Sequence, residues 1–139
     1  MLANVKTTLS GYTQYRSQGK LIFLLHRLTG LGTLLFLCIH IVDTAVVYFA
    51  PGLYAGAIDI YRSTPLMLGE IGLVFCVIFH GVNGLRIAYF DLFKPSGWDS
   101  ASNGRNMLAV LVISLVLWLP AAAVMGYNIL KFNFGMFGG

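Results

Sequence analysis

The sequence predicts an all-α integral membrane protein with three membrane-spanning helices. Of its 139 residues, 58% are hydrophobic and only 10% are charged, whereas soluble domains carry roughly 25% charged residues. Three long apolar stretches run from about Leu21 to Phe49, from Leu66 to Phe90 and from Met107 to Leu130. Because a spanning helix needs about 20 residues, each stretch is long enough to cross a bilayer.

The polar segments between these stretches are short, so we expect a single membrane-anchor domain over residues 1–139. Residues 1–20 are predicted to form a polar N-terminal segment, since they contain no apolar run of signal-peptide length. Pro51 and Gly52 end the first helix. Residues 53–65 are predicted to hold a brief interfacial helix, with Tyr54 and Tyr61 at headgroup level. Residues 94–106 have the proline, glycine and serine content of a loop.

Lysine and arginine counts predict the orientation of the chain in the membrane. Seven of these residues fall on the side of the N-terminus and two on the opposite side. The positive-inside rule therefore places the N-terminus in the cytoplasm of a bacterial cell, or in the matrix of an organelle. We expect a multi-pass protein of the bacterial cytoplasmic membrane. The charges form no basic cluster, which argues against nucleic-acid binding. The seven are Lys6, Arg16, Lys20, Arg27, Arg86, Lys94 and Arg105; the two are Arg62 and Lys131.

All three histidines fall within or at the edge of the predicted helices. A buried imidazole in hydrocarbon is expensive unless it binds something, and a metal is the commonest ligand. His26 is expected near the inner end of the first helix, and we estimate that His40 and His80 differ in depth by roughly 10 Å. Two axial ligands of one iron need the same depth, so a second membrane subunit is expected to donate the missing ligands. The alternative is that the histidines only form hydrogen bonds between helices.

The two cysteines allow a further interpretation. Two cysteines and two histidines are the ligand set of a Rieske iron–sulfur cluster. Cys76 and His80 share a helix face, whereas Cys38 and His40 point apart. The difference in depth also argues against one shared cluster. A site that combines one of these histidines with ligands from a partner chain stays open.

Two short motifs resemble a known family. The run Leu-His-Arg-Leu-Thr-Gly over residues 25–30 opens the first helix, and His-Gly-Val-Asn-Gly-Leu-Arg over residues 80–86 closes the second. Together they resemble the cytochrome b subunits of succinate dehydrogenase (succinate:quinone oxidoreductase, respiratory complex II). The likeness covers about residues 20–130, and the length and three helices match the larger of that family's two anchor subunits.

The resemblance implies a role for each candidate site residue. His80 is implied as an axial ligand of haem b. His26 and Arg27 are implied to lie near a ubiquinone or menaquinone pocket, and Arg27 and Arg86 near the haem propionates, because the arginine fork binds carboxylates bidentately. His40 resembles the first-helix ligand of two-haem members, which implies one or two haems.

Two further positions qualify this resemblance. Several single-haem members carry a quinone-site serine where this chain has Phe23. Asp43, near the outer end of the first helix, is expected to be a solvated carboxylate at a helix end, with a second haem or quinone site as the alternative.

The resemblance also implies partners and a place in electron transport. A flavoprotein subunit would oxidise succinate in the tricarboxylic acid cycle, and an iron–sulfur subunit would carry the electrons to the membrane. This chain, with a second membrane-anchor subunit, would hold haem and quinone. Alternatives are the anchor of a quinol:fumarate reductase and a three-helix assembly scaffold without haem. Four basic residues suit docking of a peripheral subunit or of anionic lipid headgroups: Lys20, Arg27, Lys94 and Arg105.

Overall fold

A computed structural model of the protein describes residues 17–95 and 104–136. The described residues form four helices and no strand, which confirms the all-α prediction. Most of the predicted polar N-terminal segment and most of the predicted loop after the second span, at residues 1–16 and 96–103, lie outside the described residues. The helices are α1 (Ser17–Phe49), α2 (Pro51–Tyr61), α3 (Thr64–Phe93) and α4 (Gly104–Phe134).

Three of these helices are long and apolar enough to span a membrane, as the sequence predicted. The candidate spans are Leu21–Phe49, Thr64–Phe93 and Asn106–Phe134. Each long helix continues beyond the apolar stretch that predicts it, because polar residues extend helices into the interface as readily as apolar ones. α1 therefore begins at Ser17 rather than near Leu21.

The short helix α2 joins the first two spans and has no buried residue. Pro51 occupies its first turn, where the missing N–H of proline is not needed. The backbone N–H of Arg62 closes the helix by donating to the carbonyl of Ile58 at 2.9 Å. Ser63 then precedes α3, which carries Pro65 in its first turn. Two helices, each with a proline in its first turn, therefore follow one another where the chain reverses direction between the first two spans.

Each long helix runs antiparallel to the long helix that precedes it in the chain, which defines two ends of the bundle. We call the end where α1 begins and α3 ends the N-side, and the end that carries α2 the far side. The indole Nε1 of Trp118 in α4 donates to the backbone carbonyl of Ile71 in α3 at 3.0 Å. At the far side, the amide of Asn133 donates to the carbonyl of Arg62 and to Oγ1 of Thr64, at 3.0 and 2.8 Å. These bonds fix the register of α3 against α4.

The buried core of the described residues lies mainly at the N-side. Phe79 is fully buried and forms one cluster there with three other buried residues: Ile22 of α1, and Met107 and Val110 of α4. The buried hydroxyl of Ser114 donates to the carbonyl of Val110 at 2.7 Å. Such local bonds satisfy hydroxyl groups where no water is present. This core holds α3 in place one residue before His80.

Much of the apolar surface of the helices is exposed. Leu31 in α1 is 64% exposed and Val116 in α4 is 60% exposed. Contiguous exposed apolar surface of this extent marks contact with lipid or with another protein. The bundle is therefore built to be surrounded by a hydrophobic medium.

Candidate functional site

The structure brings His26 and His80 together at the crossing of α1 and α3. Their ring centroids lie 4.2 Å apart and the ring planes are inclined by only 3°. His26 therefore lies level with His80 in the bundle, a pairing that the sequence did not predict. It stays in the first third of α1, which begins at Ser17 and places His26 more than two turns inside the helix.

A hydrogen bond defines the protonation of the His80 ring. Nδ1 of His80 lies 3.2 Å from the backbone carbonyl oxygen of His26. Because a carbonyl can only accept, Nδ1 donates in this bond, and in the neutral tautomer that carries this proton Nε2 is the nitrogen with the free lone pair. This is the arrangement by which proteins orient a histidine that ligates a metal through its other nitrogen.

Two glycines of α1 allow α3 to approach this closely. A Cβ atom at Gly30 would lie 3.0 Å from Cε1 and 3.2 Å from Nδ1 of His80. A Cβ atom at Gly32 would lie 2.7 Å from Sγ of Cys76, one turn earlier in α3. Any side chain at either position would force the helices or the facing side chains to move. The absence of a side chain at both positions therefore permits the close contact.

His40 lies far from this pair. It is 14 residues beyond His26 in the same helix, which corresponds to about 21 Å along the axis. Since His26 stacks directly on His80, the separation between His40 and His80 is about twice the predicted 10 Å. This larger separation strengthens the conclusion that His40 and His80 of one chain cannot ligate the same iron.

The ring of His40 is exposed and borders a far-side cavity of about 600 Å³. The ring stacks on Phe36 with a centroid distance of 5.9 Å. Within the described residues no hydrogen bond orients its nitrogens, in contrast to His80. The cavity walls are mainly apolar, and its polar lining residues are His40, Asp43, Tyr61 and Glu70.

Asp43 is not the solvated helix-end carboxylate that the sequence predicted. Its Oδ1 accepts a hydrogen bond of 2.7 Å from the hydroxyl of Tyr61, which ties α2 to α1. This bond, with smaller effects of burial and of the charges of Asp43 and Glu70, raises the pKa of Tyr61 above its ordinary value of 10.0. Tyr61 was predicted only as an interfacial aromatic residue.

The two arginines of the motifs occupy different surroundings. The guanidinium of Arg27 is exposed and lies over the ring of Phe23, 4.4 Å from its centroid. Phe23, which stands where the resemblance implies a serine, thus contacts the arginine through a cation–π interaction. Arg86 is half-buried, and its Nη1 donates to Oδ1 of Asn83 at 3.1 Å.

Asn83 is a residue that the sequence reasoning missed. Its side chain is 2% exposed, and its carbonyl oxygen holds the guanidinium of Arg86. Its position three residues after His80 in an apolar helix was the available signal, because a buried amide in such a helix needs a partner.

The described residues contain no group of three or more histidine, cysteine or acidic side chains arranged to hold a metal ion. Cys38 is exposed in α1, and Cys76 faces Gly32. The described residues of this chain therefore do not assemble a cluster site from both cysteines and both histidines. Any metal centre that uses His80 or His40 needs ligands from elsewhere.

Fold and site together define a class: a three-span helical membrane protein whose spans carry histidines at two separate depths. The chain belongs to the family of succinate dehydrogenase/fumarate reductase transmembrane subunits, which matches residues 7–121. It is similar to the succinate dehydrogenase 2 membrane subunit SdhC of Mycobacterium tuberculosis, with 29% identity over 119 residues that cover 84% of each chain. The family resemblance seen in the two motifs is thereby confirmed.

Proposed function

We propose that this chain is the cytochrome b membrane anchor of a succinate:quinone oxidoreductase, acting as a single membrane-anchor domain. Family membership supports a subunit of a succinate dehydrogenase or a fumarate reductase. The similar mycobacterial protein is named as a succinate dehydrogenase subunit, which favours succinate oxidation over the reverse reaction. The observation that carries the haem assignment is the hydrogen bond from Nδ1 of His80 to the carbonyl of His26.

His80 fits an axial ligand of haem b. The proton on Nδ1 leaves Nε2 as the nitrogen that can bind iron, and the stacked ring of His26 restricts rotation of the His80 ring. When bound, the haem supplies a one-electron carrier whose potential depends on its ligands and on burial. Arg27 and Arg86 are the proposed partners of its propionates, and the bond from Arg86 to Asn83 orients the second of these side chains.

A haem held by His80 would take its other protein ligand from a partner anchor subunit. The rings of His26 and His80 lie face to face, so their nitrogens do not point at one another across an iron. His40 is about 21 Å away along α1. We assign His40 to a second haem near the far side, again completed by the partner. The cavity beside its ring supports this assignment.

We place the quinone site at the N-side, beside His26 and Arg27. The exposed guanidinium of Arg27 stabilises negative charge that develops on a quinone oxygen as electrons arrive. Reduction of ubiquinone or menaquinone takes two electrons and two protons, and oxidation of succinate to fumarate releases the same number of each. His26 relays protons, since an imidazole both donates and accepts them.

The proposed complex also contains a flavoprotein and an iron–sulfur subunit. Succinate is oxidised at the flavoprotein, and electrons reach the quinone through the iron–sulfur clusters. The peripheral subunits dock on the N-side, where Arg27 and Lys94 are exposed. The proposed location is the bacterial cytoplasmic membrane with a cytoplasmic N-terminus, in agreement with the bacterial source of the similar protein.

Substitution of His80 tests the haem assignment. We expect His80→Ala to remove one haem b per flavin from the purified complex, because an axial ligand is lost. His40→Ala is the matched variant, and it should remove a second haem if two are present. Haem is counted from the reduced-minus-oxidised spectrum against covalently bound or extracted flavin. Full haem content in the His80→Ala complex would refute the ligand role.

A further inference from the structure

We infer that Gly30 and His26 are positioning residues that fix the plane and the tautomer of the His80 ring. The inference deepens the proposed function and depends on His80 being a haem ligand. The structure shows three separate constraints on the same ring: a hydrogen bond at one edge, a stacked ring on one face, and a glycine whose missing side chain leaves room for the ring.

The first constraint is the backbone carbonyl of His26. It accepts from Nδ1 of His80 at 3.2 Å and also lies 3.2 Å from the hydroxyl of Thr29. A carbonyl cannot be removed by a side-chain substitution, so the bond depends on how closely the His80 ring approaches α1. A hydrogen bond from Nδ1–H makes the imidazole a stronger electron donor, which favours oxidised iron.

The second constraint is the absence of a side chain at Gly30. A methyl group there would lie 3.0 Å from Cε1 and 3.2 Å from Nδ1 of His80. The ring cannot retreat within its own plane without lengthening a bond that is already 3.2 Å, near the upper limit for N–H···O geometry. Gly30 therefore permits the hydrogen bond that defines the tautomer.

The third constraint is the His26 ring. It covers one face of the His80 ring at 4.2 Å with nearly parallel planes. Nδ1 of His26 is buried and makes no hydrogen bond with any of the described residues, so no bond within the described part of the chain diverts this ring from the stack. The plane of an axial imidazole sets the anisotropy of the low-spin ferric signal, so the stack has a spectroscopic consequence.

Gly30→Ala in the intact complex tests the inference. We expect a midpoint potential shifted to a more positive value and altered g-values of the haem signal that His80→Ala removes. Gly32→Ala is the control, because its methyl group would meet Cys76 at 2.7 Å in the same helix crossing without touching His80. Unchanged potential and g-values in Gly30→Ala, or equal shifts in Gly32→Ala, would overturn the inference.

His26 variants keep the test decisive if Gly30→Ala does not assemble. His26→Phe retains a flat ring and the carbonyl, so the g-values should stay near those of the wild type. His26→Ala removes the ring and should broaden or shift the signal. Identical signals in both variants would overturn the stacking role. Haem retained in His80→Ala would instead refute the proposed function, so the two failures are distinguishable.

Discussion

The two regions of this bundle that carry histidines differ in how firmly the histidine ring is held. At the N-side, His80 is held by a hydrogen bond and a stacked ring, next to the fully buried Phe79. At the far side, the His40 ring is exposed beside a cavity of about 600 Å³, and no hydrogen bond within the described residues orients it. The ring of His80 is thus held by several contacts within this chain, whereas the ring of His40 is held only by its stack on Phe36 among the described residues.

In the proposed complex, this difference corresponds to a division of labour between subunits. The N-side contacts that hold the His80 ring lie within this chain, so the proposed partner would add only the opposite ligand. The far-side cavity is bordered by α1, α2 and α3, with Met125 from α4, and the proposed partner helix would enclose what is bound there. We therefore expect N-side substitutions in this chain to have larger effects than far-side ones.

The largest expected effect is on stability, through Phe79→Ala at the N-side. Phe79 is fully buried, and truncation leaves a cavity that costs about 3 kcal/mol of unfolding free energy. Phe36→Ala at the far side should cost well under half of that, because Phe36 is 37% exposed. Denaturation of the purified complex in mixed detergent measures both. Equal losses would mean that the far side is packed as firmly as the N-side in the assembly.

The sequence predicted the three spans, which the structure confirms, but not the relative positions of the candidate site residues. Long apolar stretches identified the helices, and the two motifs singled out His26, Arg27, His80 and Arg86, whose roles stay predictions. Depth was misjudged because it was counted from the ends of the two helices. The relative positions of α1 and α3 are set instead at their crossing, where His26 stacks on His80.

The missed contacts are those that depend on two helices at once. Nothing in α1 alone shows that Gly30 faces the ring of His80, or that Asp43 accepts a bond from Tyr61. Sequence patterns report the face of a helix but not the crossing angle or the rotation that brings two faces together. The role of Gly30 became visible only from the 3.0 Å approach.

An intermediate effect is expected on quinone reduction. Arg27→Ala is the test, and Arg62→Ala is the matched control. Arg27→Ala should lower quinone reductase activity about tenfold or more, since one electrostatic contact to the quinone oxygen is lost. Reduction of an artificial dye by the peripheral subunits should survive. Arg62→Ala at the far side should leave both activities unchanged. The reverse pattern would move the quinone site to the far side, next to Arg62.

The smallest expected effect concerns Tyr61, whose bond to Asp43 ties α2 to α1. Tyr61→Phe should cost at most about 1 kcal/mol at neutral pH. The hydrogen bond raises the pKa of Tyr61 in the folded chain above 10.0, so its contribution is complete below the pKa of the unfolded chain. As pH rises through the higher folded-state pKa, Tyr61 loses its proton and the contribution disappears.

Thermal unfolding of the wild type and Tyr61→Phe from pH 7 to pH 11 measures this pH dependence. The two proteins should differ at pH 7 and converge toward pH 11. Tyr54→Phe is the control in the same helix, since Tyr54 is exposed. A difference that persists at the highest pH would show that Tyr61 stabilises α2 by packing rather than by its proton. Side-chain packing would then stabilise the far side as it does the N-side, and the two regions would differ less in how they are held together.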